Sequence, residues 1–230
     1  MKIAIYDLDR TVTKSGTYTR FLLLTAMTRT PWRILLFPAV LACALAYKAG
    51  LIDRKRLKEI GFRVLLGRSV PRAEMAGIAA SFARNIAKTG VFPGAISRMN
   101  ADRRDGYQVI LATASPEYYV RAIADELDVG AVIATQHDTM ANGDILSTIK
   151  GENCYGTAKC EQVKAWFGSQ ENAGSATEIR FYSDDVSDEP TLRWVDQPFV
   201  VNPGIRERAL ALRMNWPMLS FTDHDAVAST

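Results

Sequence analysis

The sequence predicts an α/β fold: a parallel sheet flanked by helices, with one helical insertion. Three observations carry this reading. Short apolar β-type runs end at Asp7, Thr113 and Asp184, and helical stretches separate them. Each run empties into a polar residue, and a parallel sheet gathers such residues at its carboxyl edge, where open α/β folds bind ligands. Between the first run and the next good strand candidate, the chain is long and helical in pattern.

The first run carries Ile3, Ile5 and Tyr6 and stops on Asp7-Leu8-Asp9. Two aspartates this close raise each other's pKa unless a cation sits beside them. A strand end followed by a polar turn would give the same letters, so the motif gains weight only in company.

Thr17 to Thr28 reads as a helix, with Phe21, Leu22, Leu24 and Ala26 as its apolar surface. Ile34 to Tyr47 is a run of fourteen residues without a charge, bounded by Arg33 and Lys48 and interrupted by Pro38. It falls short of the roughly 20 residues a membrane span needs. The first expectation is therefore a buried core helix; an interfacial membrane helix is the second and a span the third. Asp53 to Leu66 alternates basic and apolar residues, Gly67 turns the chain, and Pro71 opens a helix to about Lys88.

From Phe92 the character changes. Pro93-Gly94 breaks the chain, Ala95 to Arg104 is a helix, and Tyr107 to Ala112 is a β-prone run ending at Thr113. Ser115, Pro116 and Glu117 read as N-cap, first helical residue and first-turn acid of a helix to about Leu127. Ala131 to Thr135 is a strand, and Asn142-Gly143 signals a hairpin turn. Thr157 to Phe167 is a helix with Lys159 in its first turn, an unfavourable place for a surface cation. Gln170 to Thr177 is a polar linker, and Ile179 to Ser183 a strand that empties into Asp184-Asp185-Val186-Ser187-Asp188. Phe199 to Val201 is the last core strand and Pro203 to Met214 a helix; Trp216 to Phe221 is extended and Asp223 to Thr230 a frayed tail.

The 230 residues fit one large domain or a domain with an insertion. A net charge of +3 is too small to argue for nucleic acid, but it is unevenly spread. From Arg29 to Arg72, ten Lys or Arg face only Asp53 and Glu59, a local +8 that leaves the remainder at −5. Such a face is either solvated or attractive to a phosphorylated or membrane-bound substrate. Cys43, Cys154 and Cys160 form no paired framework, which favours a reducing compartment. Asp7 and Asp9 fall where a signal peptide would need apolar residues, so a cytoplasmic location is expected. His137 and His224 lack zinc-like spacing from any cysteine and read as ordinary polar positions.

Taken jointly, Asp7, Thr113 and Asp184 at one sheet edge, joined by Lys159 and Asp188, suit Mg²⁺ and a phosphate. Mg²⁺ takes a few carboxylates and keeps places for water and phosphate oxygens.

Four ordered motifs carry a resemblance. Asp7-Leu8-Asp9-Arg10-Thr11, Ile110-Leu111-Ala112-Thr113, Gly156-Thr157-Ala158-Lys159 and Tyr182 to Asp188 resemble those of haloacid-dehalogenase-like (HAD) phosphatases. Asn153-Cys154-Tyr155-Gly156 and the Asp184-to-Pro190 signature are most similar to subfamily IB, the phosphoserine-phosphatase-like group. The resemblance implies a Rossmann-like core over 1–13 and 90–230 with a helical cap over 14–89. It also implies phosphomonoester hydrolysis with Asp7 as nucleophile, Asp9 as general acid and base, and Mg²⁺ on Asp7, Asp184 and the Asp9 carbonyl. Thr113 and Lys159 would hold the phosphoryl group with Thr11 and Ser115, and Asp188 and Asp185 would support Lys159 or a metal-bound water.

Two departures bear on substrate. Arg10 stands where the family commonly has Gly, and Lys14-Ser15-Gly16-Thr17-Tyr18 lacks the acid that grips the phosphoserine ammonium. An anionic or neutral leaving group, in a small-molecule or lipid phosphomonoester, is expected over phosphoserine. Two rivals stand beside hydrolysis: phosphoryl transfer from Asp7 to another hydroxyl, and a non-catalytic membrane-surface or protein-binding module using the basic cap.

Overall fold

The structure is a computed structural model that describes residues 2–169 and 178–222, with the backbone of 228–229. The expected linker 170–177 and His224 lie outside the described residues. In chain order the elements begin with β1 (Lys2–Tyr6), α1 (Tyr18–Arg29), a 3₁₀ segment (Pro31–Leu36), α2 (Phe37–Lys48), α3 (Arg54–Leu66) and β2 (Ser69–Val70). Then come α4 (Arg72–Asn85), a π-helical turn (Ile86–Gly90), α5 (Pro93–Arg104), β3 (Tyr107–Pro116), α6 (Glu117–Glu126) and β4 (Ala131–Thr135). β5 (His137–Thr139), β6 (Ile145–Ile149), α7 (Thr157–Gly168), β7 (Glu178–Ser183) and a 3₁₀ turn (Val186–Asp188) follow. The chain closes with α8 (Glu189–Trp194), β8 (Gln197–Val201), α9 (Ile205–Met214), β9 (Met218–Leu219) and β10 (Ala228–Ser229).

The main sheet has the order β10-β9-β8-β7-β1-β3-β4, and every pairing except β9 with β10 is parallel. Central β1 is apolar from Ile3 to Tyr6 because both sheet faces are covered. Ala4 and Tyr6 pack on one face with Phe21, Phe82, Met99 and Tyr119. Ile3 and Ile5 pack on the other with Val163, Phe167, Leu192 and Ala211. Tyr6 is level with Leu111 on β3 and Tyr182 on β7, so the polar residues that follow these positions emerge together.

A buried acid braces those strand ends from behind. Asp102 on α5 is fully buried; it accepts from Tyr6 Oη at 2.6 Å and from Arg180 Nη1 at 2.6 Å. Arg98 lies 3.4 Å from the same carboxylate, and the Tyr6 and Tyr182 rings stack at 4.3 Å.

A second, antiparallel sheet runs β2-β6-β5 and ties the helical segment to the later chain. The expected turn at Asn142-Gly143 lies between β5 and β6, with Gly143 at φ +85°, where glycine carries no steric cost.

Three expectations need correction. The run 34–47 is not a buried core helix: α2 has no buried residue, and only Ile34, Phe37 and Val40 lean on the core. Apolar composition sets how much surface wants cover, not whether a layer exists to cover it. The helix after Thr113 starts at Glu117, with Pro116 in the capping position and no cap from Ser115, whose hydroxyl goes elsewhere. Within the supposed frayed tail, Ala228 and Ser229 pair with Leu219 and Met218.

Replacing Asp102 by Ala takes the acceptor from two tyrosine hydroxyls, Tyr6 and Tyr182, and the carboxylate from Arg98 and Arg180. It should lower unfolding stability by about 3–5 kcal/mol, read from the shift in urea midpoint at unchanged m-value.

Candidate active site

At the end of β1, the Asp7 amide donates to the Tyr182 carbonyl at 2.9 Å, which keeps the chain in sheet register to the catalytic edge. The Asp7 carboxylate points at Lys159, whose Nζ donates to Asp7 Oδ1 at 2.8 Å and to Asp188 Oδ2 at 2.7 Å. Lys159 is buried at 2% exposure, which explains a lysine in the first turn of α7: it faces two acids, not solvent. Asp188 Oδ2 also accepts from Ser183 Oγ at 2.6 Å, while its Oδ1 is buried without a partner.

Asp184 is set by Thr11. The Thr11 hydroxyl donates to Asp184 Oδ1 and accepts from the Asp184 amide, both at 3.0 Å. Thr11 is fully buried, and its hydroxyl is spent on holding the first loop against the β7 loop. Between them, Arg10 adopts φ +65°. That left-handed conformation costs a side-chain-bearing residue about 1–2 kcal/mol, a cost that glycine would not carry.

Asp7, Asp9, Thr113, Ser115, Lys159, Asp184, Asp185 and Asp188 all line one cavity of about 360 Å³. Burial pushes the Asp7 carboxyl up to about 8; Lys159 pulls against that, while Asp188 and Asp184 add to it. Asp184 rises to about 6, chiefly through burial, with Thr11 opposing and Asp185 and Asp188 assisting. Burial works against the Lys159 ammonium, but Asp188 and Asp7 outweigh it and hold its pKa above the ordinary lysine value.

Three carboxyl groups, Asp7, Asp184 and Asp188, gather around one ammonium, so a site with all of them ionised would carry more negative charge than Lys159 offsets. That excess suits a divalent cation. Among the described residues, no three His, Cys, Asp or Glu side chains converge on one point. The donor set that the family resemblance implies is instead two carboxylates, Asp7 and Asp184, both lining this cavity, and the Asp9 carbonyl. A hard cation that keeps several waters accepts such a set.

Asp9 turns toward the helical segment. Its Oδ1 accepts from the Thr17 amide at 2.6 Å and the Thr17 hydroxyl at 2.7 Å, and its Oδ2 from Ser115 Oγ at 2.6 Å. Thr17 Oγ1 also lies 2.9 Å from Tyr119 Oη. Ser115 thus holds Asp9 instead of capping α6, and its own amide donates to Thr113 Oγ1 at 3.1 Å.

Sequence reasoning missed Lys58. From α3 it reaches the core, donating to the Ala114 carbonyl at 2.5 Å and to Asn153 Oδ1 at 2.6 Å. Asn153 also accepts from Thr135 Oγ1 at 2.9 Å, so Lys58 bridges α3 to the last residues of β3 and to the loop after β6. A signal existed: Lys58 sits three, four and seven residues before Gly61, Phe62 and Leu65, inside the buried stripe of α3. Amid a basic run it passed as solvated. Leu22, Phe37, Val40, Leu57 and Leu65 give the same cavity an apolar outer wall.

Burial lowers the Lys58 pKa to about 7, with Arg54 assisting and Asp9 opposing. Unfolding restores the ordinary value of 10.5, so between about 7 and 10.5 the unfolded chain binds the extra proton. Lys58 therefore makes stability rise with pH across that window. Comparing urea midpoints of the parent and Lys58→Met from neutral pH upward should show this rise in the parent alone.

Comparison with known proteins agrees with this geometry. Residues 4–193 match the family model described as haloacid dehalogenase-like hydrolase. A histidinol-phosphatase from Neisseria meningitidis is 26% identical over 117 residues, which are 50% of this chain and 53% of that protein's length. The chain thus spans about half of that relative. A Bordetella pertussis protein of unknown function superposes with a TM-score of 0.82 at 23% identity, covering 94% of this chain and 97% of that one. A phosphoserine phosphatase solved as a phospho-aspartyl intermediate analogue superposes at 0.60 with 12% identity, covering 97% and 94%. These superpositions speak to the fold, a Rossmann-like α/β core of the phosphoserine-phosphatase-like type. With the family match running from β1 to the end of α8, the chain belongs to the haloacid dehalogenase-like hydrolases.

Proposed function

We propose that this HAD-type phosphatase is a Mg²⁺-dependent phosphomonoester hydrolase working through an aspartyl-phosphate on Asp7. The observation that carries the reading is the Lys159 ammonium held between Asp7 and Asp188 at the floor of the cavity. A nucleophilic carboxylate needs such a neutralising partner before a phosphoryl group can approach, because phosphoryl transfer depends mainly on positioning and charge compensation.

An Asp7 carboxylate oxygen forms the bond to phosphorus as the ester P–O bond breaks. The leaving oxygen takes its proton from Asp9, which Thr17 and Ser115 hold in a fixed orientation. Water then attacks phosphorus, Asp9 takes the proton back, and the P–O bond to Asp7 breaks to release phosphate. The Thr113 hydroxyl and Lys159 contact the phosphoryl oxygens, while Asp188 keeps Lys159 in place. Mg²⁺, held by Asp7, Asp184 and the Asp9 carbonyl, would supply charge neutralisation for the transferring group. Residues 14–89 act as a cap that covers the cavity and excludes water.

Asp7→Asn keeps the shape and removes the nucleophile. Its turnover of p-nitrophenyl phosphate should fall at least about a thousandfold, roughly 4 kcal/mol of barrier, with an unchanged circular dichroism spectrum. Retained turnover would remove the assignment.

The metal carries a pH signature. Protons compete with Mg²⁺ for Asp7 below about 8, so the Mg²⁺ concentration for half-maximal activity should fall as pH rises from neutrality toward 8. A Mg²⁺ requirement that is flat across that range would contradict the proposed ligand.

A further inference from the structure

Leu35, Leu41, Leu45 and Leu51 are 81%, 51%, 66% and 77% exposed along the 3₁₀ segment, α2 and the turn after it, with Leu41 and Leu45 four residues apart and so on one face of α2. No residue from Ile34 to Tyr47 is charged, and contiguous exposed apolar surface of this kind marks a contact site.

The surroundings of the ridge narrow down what covers it. Arg33 stands before the run, Lys48, Arg54 and Lys55 stand after it, and Trp32 lies 59% exposed with the Arg33 guanidinium 5.0 Å from its ring centre. The two acids of the basic segment are engaged: Asp53 caps α3 through the Arg56 amide, and Glu59 accepts from the Ile149 amide. An aliphatic ridge with a net cationic rim complements an anionic lipid surface. A second copy of the same face would set like charge against like charge.

Geometry fixes the mode of contact. The 3₁₀ segment and α2 together, Pro31–Lys48, make an 18-residue helical stretch that by length and composition is long and apolar enough to cross a membrane. Phe37 and Val40 pin one edge of it to the core, and Arg33 Nη1 donates to the Arg63 and Val64 carbonyls of α3, so in this fold the segment is tied along its length to the protein and fits a membrane interface rather than a span. That same edge, with Leu41 and Ala44, lines the outer wall of the catalytic cavity. The exposed ridge and the apolar mouth of the cavity thus meet at Leu41 on one helix.

We infer that the face from Pro31 to Leu51 docks on the surface of an anionic bilayer. Docked there, the enzyme takes from it a phosphomonoester whose leaving group carries an acyl chain. The substrate half of this inference rests on the phosphatase reading above; the docking half does not.

The test uses the full chain and the double variant Leu35→Glu/Leu45→Glu, neither position lining the cavity. Both proteins are sedimented with vesicles of phosphatidylcholine, alone or mixed with phosphatidylglycerol. Both are also assayed with Mg²⁺ on p-nitrophenyl phosphate, lysophosphatidate and glycerol 3-phosphate.

The parent should pellet with the phosphatidylglycerol vesicles, and less so at high salt. The variant's partitioning should fall at least about tenfold, with p-nitrophenyl phosphate turnover unchanged. Lysophosphatidate should exceed glycerol 3-phosphate in kcat/KM by about a hundredfold, since a few buried methylenes suffice for that.

A parent that stays in the supernatant, or a variant that pellets equally, overturns the docking. So does a dimer in solution that the double substitution dissociates. Equal turnover of the two glycerol phosphates overturns the acyl-chain substrate. Vesicle binding without turnover of any phosphomonoester would overturn the phosphatase reading and leave the docking standing.

Discussion

One buried ammonium holds the catalytic edge together. Lys159 sits within hydrogen-bond reach of both Asp7 and Asp188 at 2% exposure, and without it two carboxylates would face each other away from water. Buried charges persist only when paired and hydrogen-bonded, and loss of one partner costs several kcal/mol. The pairing is also incomplete: Asp184 adds a third acid to one cation, and Asp188 Oδ1 keeps an unmet acceptor. The same imbalance supports the proposed divalent cation.

That arrangement needs distant parts of the chain to arrive at one height. Asp7 leaves β1, Asp184 leaves β7 and Thr113 lies near the end of β3, and parallel pairing in register aligns them. Asp102 and the stacked Tyr6 and Tyr182 rings brace the strand ends from within the core. In front, short polar ties hold the loops: Thr11 fixes Asp184, and Ser115 and Thr17 fix Asp9. Thr17 immediately precedes α1, so the Asp9 carboxylate is oriented partly by the helical segment itself. A shift of that segment would therefore be felt at Asp9.

Much of this was legible in the sequence because strand ends are marked twice, by β-prone runs and by the polar residue that stops them. The parallel core and the gathering of Asp7, Asp9, Thr113, Lys159 and Asp184 around one cavity follow from that pattern. Ser115 was read as a helix cap because serine before Pro-Glu satisfies local rules; a contact 106 residues away, with Asp9, takes its hydroxyl instead. Lys58 was overlooked because a charge on a basic helix looks solvated unless its place on the buried stripe is checked. The 34–47 run failed differently: its apolar content was evident, but whether anything packs over it depends on the tertiary arrangement, which leaves it exposed.

The account turns on a covalent phosphoryl group at Asp7. Borohydride added during turnover, followed by peptide mass spectrometry, would reduce an aspartyl-phosphate to homoserine where it forms. Conversion of Asp7 alone, only with substrate present, is the predicted result. Steady turnover with Asp7 unconverted, or conversion at a different aspartate, would contradict it.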